Sequence, residues 1–522
     1  MIENHFDTII IGSGLGSLLC GYILSREGMR VCILEKNKQP GGALQTFKRK
    51  GVAFDTGVHY IGGMDEDQNL NRYFKYFGLT GKLKLSRLNN DRFDVIAFDD
   101  AEYPLAQGFD NFIEQLLPFF PDEKKSLRSY VDKLEEISKN FALYNLEIPK
   151  GNHTEDLYSN QSAYNYYKYL SFKYQQSAVG SLQSASSNIV IASETKQQHR
   201  GSLSSVLAGN NFLYAGSKDK TPLHIPALIN HSFISSSWKP VNGSRQIADL
   251  LIESIINFGG IVRTNCEVSG ILHHVNDFTV VITTKEQFSC NRLISGIHPL
   301  RTIDLMNPSL FRKVFSSRIR NLENTTGSFA LYIVLKKKSF HYLDYNFYFH
   351  TSDDVWYDPG RDRWPSGYLL HTPASEETSN FAKNLVVMTY MDFKDVKKWE
   401  NSVTGKRGAD YYLFKEEKAN QLIDLVEKHF PGLRSGIAYM ESSTPLTWRD
   451  FTGTPGGSMY GIKKDYNNPA GTVVFPNTKI PGFLFTGQNV NLHGVLGVTI
   501  GSVMTCSEIL GTEYLIKKIR NG

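Results

Sequence analysis

Three glycines at alternate positions, Gly12, Gly14 and Gly16, stand in the run "IIIGSGLGSLLCGYILSREGMRVCILEKN". An acid, Glu35, follows 23 residues after the first of them. Glycines at this spacing let a backbone turn sharply and pass close to an anion. An acid about 20 residues further on can accept hydrogen bonds from both hydroxyls of a ribose. The chemistry predicted is nucleotide binding. Gly12 permits the turn, Gly14 admits a pyrophosphate, and a helix opening at Leu15 and Gly16 offers free N–H groups and a dipole that favours negative charge. Ser17 stands where the pattern ends in glycine or alanine. It is small, and its hydroxyl can bond backbone or phosphate. Glu35 would repel a 2′-phosphate, which disfavours NADP in this slot.

The elements that must hold these residues are legible around them. Residues 7–11, "DTIII", are β-branched and apolar, as a strand buried on both faces should be. Apolar residues at 15, 18, 19, 22 and 23 mark one face of a helix. Gly28 is a natural stop for it, and "RVCIL" makes a second buried strand that ends at Glu35.

Further along, Gly41–Gly42 and then Asp55, Thr56 and Gly57 mark two more close backbone approaches. Residues 241–272 read as a helix running through Gly259–Gly260 into a strand, where Val268 can set its backbone beside an adenine. Near the end, "GFLFTGQNVNLHGVLGVTIGSVMTCSEIL" reads as a short strand and a helix starting near Val495, its first turns kept bare by Gly494, Gly497 and Gly501. A helix start aimed at the pyrimidine end of a reduced flavin would stabilise its charge. Approaches spread over this length favour an extended FAD over NAD. Other glycine pairs, at 62–63, 259–260 and 456–457, lack the strand–turn–helix context. A dedicated NAD(P)H domain is therefore not expected, and reducing electrons would come from transiently docked NAD(P)H or from a redox partner.

Together, "GSGLGS…LEKNKQPGG…FDTGVHYIGG", "VNGSRQIADLL…GG…EV" and "TPLTWRDFTGTPGGSMYG…FTGQNVNLHGVLGVTIGS" resemble the flavin-dependent phytoene desaturase, carotenoid isomerase and retinol saturase group. The likeness is closest to its all-trans-retinol 13,14-reductase-like branch. It covers residues 6–75, 200–300 and 440–510, and is weak over 76–200 and 300–440. The resemblance implies an α/β fold: a Rossmann-like FAD-binding domain of the glutathione-reductase-like, amine-oxidase/phytoene-desaturase type, with a discontinuous α+β substrate domain. It implies FAD contacts at Gly12, Gly14, Glu35, Lys36, Gly41, Gly42, Val268, Gly487, Asn489 and Val495, with Ala43, Gln488 and Gly494 beside them. The implied reaction saturates, desaturates or isomerises a carbon–carbon double bond of an apolar polyene or isoprenoid lipid. His59, Tyr60 and His493 lie in the flavin-facing motifs and are the polar groups to test as proton donors, or else hold structural hydrogen bonds there. Three departures stand out: Ser17 at the last fingerprint position, Asn242 where glycine is frequent before Gly243-Ser244, and Asn489 where aspartate is common after "TGQ". A flavin amine oxidase, or a non-catalytic lipid-carrying chaperone like the Rab GDP-dissociation inhibitors, is the alternative within the same fold.

The 522 residues exceed one usual domain. The expected division is FAD-binding parts at 1–75, 240–300 and 480–522, a cap region at 76–239, and a substrate domain with an antiparallel sheet at 301–479. Hydrophobic content of 41%, charged content of 21% and a net charge of +5 are unremarkable, and no arginine-rich block points to nucleic acid. Five cysteines without a C-x-x-C pair argue against a zinc site or a disulfide framework and fit a cytoplasmic protein. The first strand begins near Phe6, which leaves no room for a secretory signal. No apolar run reaches the roughly 18–20 residues of a membrane span. Peripheral association with the inner face of a membrane stays open. The tyrosine-rich "LYSNQSAYNYYKYLSFKY" (Tyr158, Tyr164, Tyr166, Tyr167, Tyr169, Phe172, Tyr174) reads as a cap lining an apolar pocket, a membrane-interface face or a core helix. The basic, amphipathic "YLIKKIRNG" at the end reads as a solvated last turn or a lipid-surface anchor.

Overall fold

Nineteen strands, named in chain order, carry the described part of the molecule. They are β1 (His5–Ile11), β2 (Val31–Leu34), β3 (Thr46–Arg49), β4 (Val52–Asp55), β5 (Ile61–Gly62), β6 (Leu85–Arg87), β7 (Asp94–Phe98), β8 (Ala101–Leu105), β9 (Ser237–Pro240) and β10 (Ile261–Arg263). There follow β11 (Val268–His273), β12 (Thr279–Thr283), β13 (Gln287–Ser295), β14 (Gly327–Leu335), β15 (Asn346–His350), β16 (Gly367–His371), β17 (Asn384–Met391), β18 (Ile437–Ser443) and β19 (Phe483–Phe485). The computed structural model describes residues 4–99, 101–149, 160–170, 201–273, 279–360, 363–376 and 380–522.

The first sheet runs β10-β2-β1-β13-β12-β11, with β19 also beside β13. Pairs β10/β2, β2/β1, β1/β13 and β13/β19 are parallel, and β13/β12 and β12/β11 are antiparallel. Segments far apart in the chain thus meet in one layer, and β13 is the hinge of the arrangement. It pairs with β1 on one edge, while its other edge pairs with β12 and then with β19. The helix α1 (Leu15–Arg26) crosses from β1 to β2, as the spacing predicts. It is not amphipathic, however: Gly16 to Ser25 are all buried. The reason is its position, packed between the helices Gly494–Leu510 and Arg245–Asn257 as well as on the sheet. Its small residues make the close fit. A Cβ at Gly21 would lie 2.7 Å from Ile33 Cδ1, and one at Gly16 would lie 2.7 Å from the Gly487 Cα.

The second sheet runs β18-β14-β17-β16-β15-β7-β8, antiparallel except for β15/β7. Strands β14 to β17 are buried along their whole length, because both faces are covered. Leu331, Phe347, Leu370 and Val387 face the core under the helix Ala409–Glu427. The alternate residues, among them Tyr332, Tyr348, Leu369 and Met388, face the other core, which is shared with α1 and the helix His224–Ser235. A short sheet, β5-β9-β6, bridges the two and presents residues 59–62 to the space between them.

Two surface expectations change. In the helix at residues 163–170, Tyr167 is buried against Tyr130 and Trp356, Tyr169 is 51% exposed, and neither they nor Tyr164 and Tyr166 line the cavity described below. The core reading therefore holds for this stretch, while Tyr158, Phe172 and Tyr174 lie outside the described residues. The C-terminal segment is neither a solvated turn nor a free anchor. It is the helix Thr512–Asn521, with Leu515, Ile516 and Ile519 buried against the helix Asn69–Tyr76. Among the described residues no helix is long and apolar enough to cross a membrane.

Candidate active site

A cavity of about 660 Å3 opens where the two sheets face each other, within the range of small-molecule and cofactor sites. One half of it is backbone. Gly12 turns at a φ of +83° at the end of β1, and a Cβ there would sit 3.0 Å from Ile297. Gly14 bridges to Gly41, and a Cβ on Gly42 would lie only 2.9 Å from the Gly14 Cα. At Gly14 itself a Cβ would meet no protein atom within 4 Å; it would point into open space. Helix α1 begins there with no side chain capping it and no acid in its first turn, so its leading N–H groups are free for an anion. The helix Gly494–Leu510 begins at the same cavity, again without a side-chain cap, and Gly494 also has nothing within 4 Å of its would-be Cβ.

Glu35 sits at the end of β2, 5% exposed. Its Oε2 accepts from Ser13 N–H at 3.0 Å and Ser13 Oγ at 2.6 Å, and its Oε1 accepts from Asn37 N–H at 2.8 Å. These donors fix the carboxylate while leaving lone pairs for a ligand's hydroxyls. Gly12, Gly14, Leu15, Gly16, Glu35, Lys36, Gly41, Gly42, Ala43, Thr56, Gly57, Val268, Gly487, Gln488, Asn489, Gly494 and Val495 all line this one cavity, drawn from five separate stretches of chain.

Two residues proposed for the same role do not. Ser17 faces away from the cavity, and a Cβ at Gly296 would collide with its Oγ, so its smallness serves the packing of α1 on the end of β13. Its buried hydroxyl has no partner. Asp55 is also outside the lining. It accepts from Ser244 N–H at 2.7 Å and Ser244 Oγ at 2.9 Å, tying β4 to the start of the helix Arg245–Asn257, and burial pushes it up to about 6. Lys36 does line the cavity, but its ammonium donates to the Asp450 carbonyl at 2.7 Å. Asn242 turns at a φ of +60°, which explains why glycine is the frequent choice there and why asparagine is a tolerated one. The Asn489 Oδ1 accepts from Ile462 N–H at 3.1 Å, which pins its side chain beside the cavity.

The other half is side chains. Leu70, Ile225, Leu228, Phe233, Leu369 and Met388 give it apolar walls. Its polar groups are few and neutral. The His59 ring lies tilted at 39° against that of His371 with centres 4.3 Å apart, and its Nδ1 is buried without a partner. Burial, with the Lys239 ammonium nearby, pushes His59 down to about 4. Burial also holds His493 down to about 4; its Nε2–H donates to the Leu213 carbonyl at 3.3 Å and its ring lies 4.6 Å from Tyr460. Tyr60 donates to Asp94 Oδ2 at 3.0 Å and stands 2.7 Å from the Tyr348 hydroxyl. The sequence reading missed Asp94, Tyr348, Lys239 and the helix His224–Ser235. A signal for Asp94 was present: an acid opening the otherwise apolar "DVIAF".

The β-α-β unit with its glycine turn defines a dinucleotide-binding class, and residues 10–77 match the family model described as an NAD(P)-binding Rossmann-like domain. The likeness extends well beyond that segment. The human all-trans-retinol 13,14-reductase is 23% identical over 549 aligned residues, covering 98% of this chain and 86% of that one. Prolycopene isomerase 1, chloroplastic, from an Oncidium hybrid cultivar is 24% identical over 543, covering 99% and 85%. Among solved structures, the cyclohexylamine oxidase from Brevibacterium oxydans superposes with a TM-score of 0.58 at 13% identity, covering 98% of this chain and 99% of that one. The fold is that of the Rossmann-like, amine-oxidase type expected from the motifs.

Proposed function

We propose that the protein is an FAD-dependent oxidoreductase that saturates or isomerises a carbon–carbon double bond of an apolar polyene or isoprenoid lipid. One observation carries the reading. A single cavity joins two uncapped helix starts and a fixed acid to an apolar arm whose polar groups are neutral. An ordinary NAD site does not need the second helix start, and an amine site does not call for so apolar an arm. The near full-length similarity to a retinol reductase and a prolycopene isomerase supports the same choice.

The residues present fit the cofactor. The N–H groups from Gly14 to Gly16 would hold the pyrophosphate, Glu35 the adenosine ribose, and Val268 the adenine. Gly487 to Asn489 and the Gly494–Val495 helix start would hold the flavin end. Bound flavin supplies hydride transfer at N5. The chain's own work is to bind and orient an extended hydrocarbon, to exclude water from it and to manage a proton. Leu369 and Met388 from the second sheet and Leu228 and Phe233 from the opposite helix form the walls that do the first two. His59 and His493, held neutral, are N–H donors or acceptors here rather than cations, so Tyr60 is the better proton donor. NAD(P)H docked transiently, or a redox partner, would reduce the flavin.

The test is anaerobic incubation of the reduced holoprotein with candidate polyenes, followed by mass analysis. A gain of two hydrogens marks a saturase, and an unchanged mass with altered retention marks an isomerase. A lipid recovered unaltered from a tight complex would replace this reading with a carrier.

A further inference from the structure

Behind Tyr60, away from the cavity lining, lies a buried polar cluster centred on Asp94. Asp94 opens β7 and is fully buried. Its Oδ2 accepts from the Tyr60 hydroxyl at 3.0 Å and its Oδ1 from Asn346 Nδ2 at 2.9 Å. Among the described residues no cation pairs with it. The nearest, Lys239, spends its donors on carbonyls: Leu343 at 3.0 Å, Thr372 at 3.0 Å and Tyr345 at 3.3 Å. His59, His371 and Asp344 lie within electrostatic range of Lys239.

Asn210 is within hydrogen-bonding range of the Asp94 carboxyl, and its Nδ2 donates to Asn230 Oδ1 at 2.6 Å. The bonds from Tyr60, Asn346 and Asn210 and the charge of Lys239 favour a carboxylate, but complete burial without a paired cation outweighs them and pushes Asp94 up to about 7.

We propose that Asp94 is held as a carboxylic acid and is the proton reserve for Tyr60, which passes a proton into the cavity. The proposal rests on reading the cavity as the site of a double-bond reductase. A proton on Oδ2 reverses the contact seen between the two side chains: Asp94 donates to the Tyr60 oxygen, and the Tyr60 O–H is freed for the Tyr348 hydroxyl, 2.7 Å away, or for a substrate in the cavity that Tyr60 lines. In the reaction the Tyr60 O–H breaks and its proton forms a C–H bond at one polyene carbon. Bound reduced flavin would supply the hydride for the neighbouring carbon, with loss of the π bond. The Asp94 O–H breaks in turn and restores Tyr60. Asp94 is left as a carboxylate in the field of Lys239 and regains its proton from water between turnovers. Tyr60 needs such a reserve, because burial raises its phenol well above the usual value and a lone phenolate there is costly.

Infrared spectroscopy of the full chain, without flavin, reads the proton directly. The wild type should show the carbonyl stretch of a protonated buried carboxyl at pH 6, fading on titration through neutrality. Asp94→Asn should remove it, measured in an Asp55→Asn background so that the other raised acid that is buried does not contribute. No such band in the wild type, or a band that survives Asp94→Asn, overturns the proposal. Should Asp94→Asn not fold, Tyr60→Phe keeps the carboxyl and should shift its band by removing a hydrogen-bond partner; an unshifted band overturns the pairing. With flavin-loaded, anaerobically reduced protein and a polyene alcohol, Asp94→Asn and Tyr60→Phe should each slow conversion about 100-fold or more with the flavin spectrum unchanged. Asp94→Glu should recover part of the rate, and the neutral limb of the pH profile should vanish in Asp94→Asn. Wild-type speed in Tyr60→Phe overturns the relay. A wild type that converts no polyene defeats the functional reading instead, while the infrared result still decides whether Asp94 carries the proton.

Discussion

The two halves of the cavity are built by opposite means. The half around Gly12, Gly14, Gly42, Gly487 and Gly494 is largely backbone, with the Glu35 carboxylate fixed beside it, and its shape comes from side chains that are not there. The half around Leu369, Met388, Phe233 and Tyr60 is made of side chains that converge from two strands, a helix and a loop. A backbone site tolerates no added atom at its open positions but is indifferent to the packing around it. A side-chain site tolerates exchanges of similar volume and is sensitive to charge and filling. Mutations can separate the two halves, and the expected effects fall in a clear order.

The largest is Gly14→Val. Its Cβ meets no protein atom, so the fold should survive, but the isopropyl group would occupy the space over the start of α1. Flavin affinity should drop at least about 100-fold, a loss of roughly 3 kcal/mol, with the melting temperature of the flavin-free protein almost unchanged. Equal affinity would move the pyrophosphate elsewhere. Next is Leu369→Trp, which fills the apolar arm from β16. It should raise KM for a polyene about tenfold or more and leave flavin binding as it was. If flavin affinity fell in parallel, the two halves would not be separable.

A smaller effect sharpens the contrast through pH. His59 and His493 are held down to about 4, against an ordinary value near 6.5. The native protein therefore refuses protons that the unfolded chain accepts. Their contribution is intact above pH 6.5 and is lost as the pH falls from there toward 4. Each should account for about 1–2 kcal/mol of destabilisation at pH 5. His59→Gln should shrink the difference in urea-unfolding stability between pH 7 and pH 5 by that amount. An unchanged difference would mean that His59 is not held neutral.

The sequence was readable where the backbone half needed glycine, because a positive φ or a contact near 2.7 Å leaves no other choice. Gly12, Gly41, Gly42, Gly487 and Gly494 were all found in this way or by resemblance, and Glu35 by its distance from them. Two of the residues read as cofactor contacts fall outside the lining: Ser17 packs against Gly296, as its small size at a close helix–strand contact suggests, and Asp55 holds Ser244. The apolar face read on α1 is real, but burial on its other sides by the helices at 245–257 and 494–510 is a tertiary fact with no local trace. The side-chain half was mostly out of reach. Leu369 and Met388 are ordinary strand residues until β16 and β17 are in register, and Asp94 meets Asn346 only after β7 joins β15 across some 250 residues of chain.

The smallest expected effect is Ser17→Ala. It removes a buried hydroxyl without a partner and keeps the volume that Gly296 requires. Stability should stay within about 1 kcal/mol of the wild type or rise slightly, and flavin affinity should not move. A large loss of flavin would return Ser17 to the cofactor site.

If the glycine-lined half holds FAD, reconstitution decides it: the purified chain is loaded with FAD, with NAD and NADP in parallel, and its visible spectrum is read after desalting. The protein should be yellow and retain one FAD per chain and neither nicotinamide dinucleotide. A colourless protein that releases FAD on desalting would mean that this half holds something else.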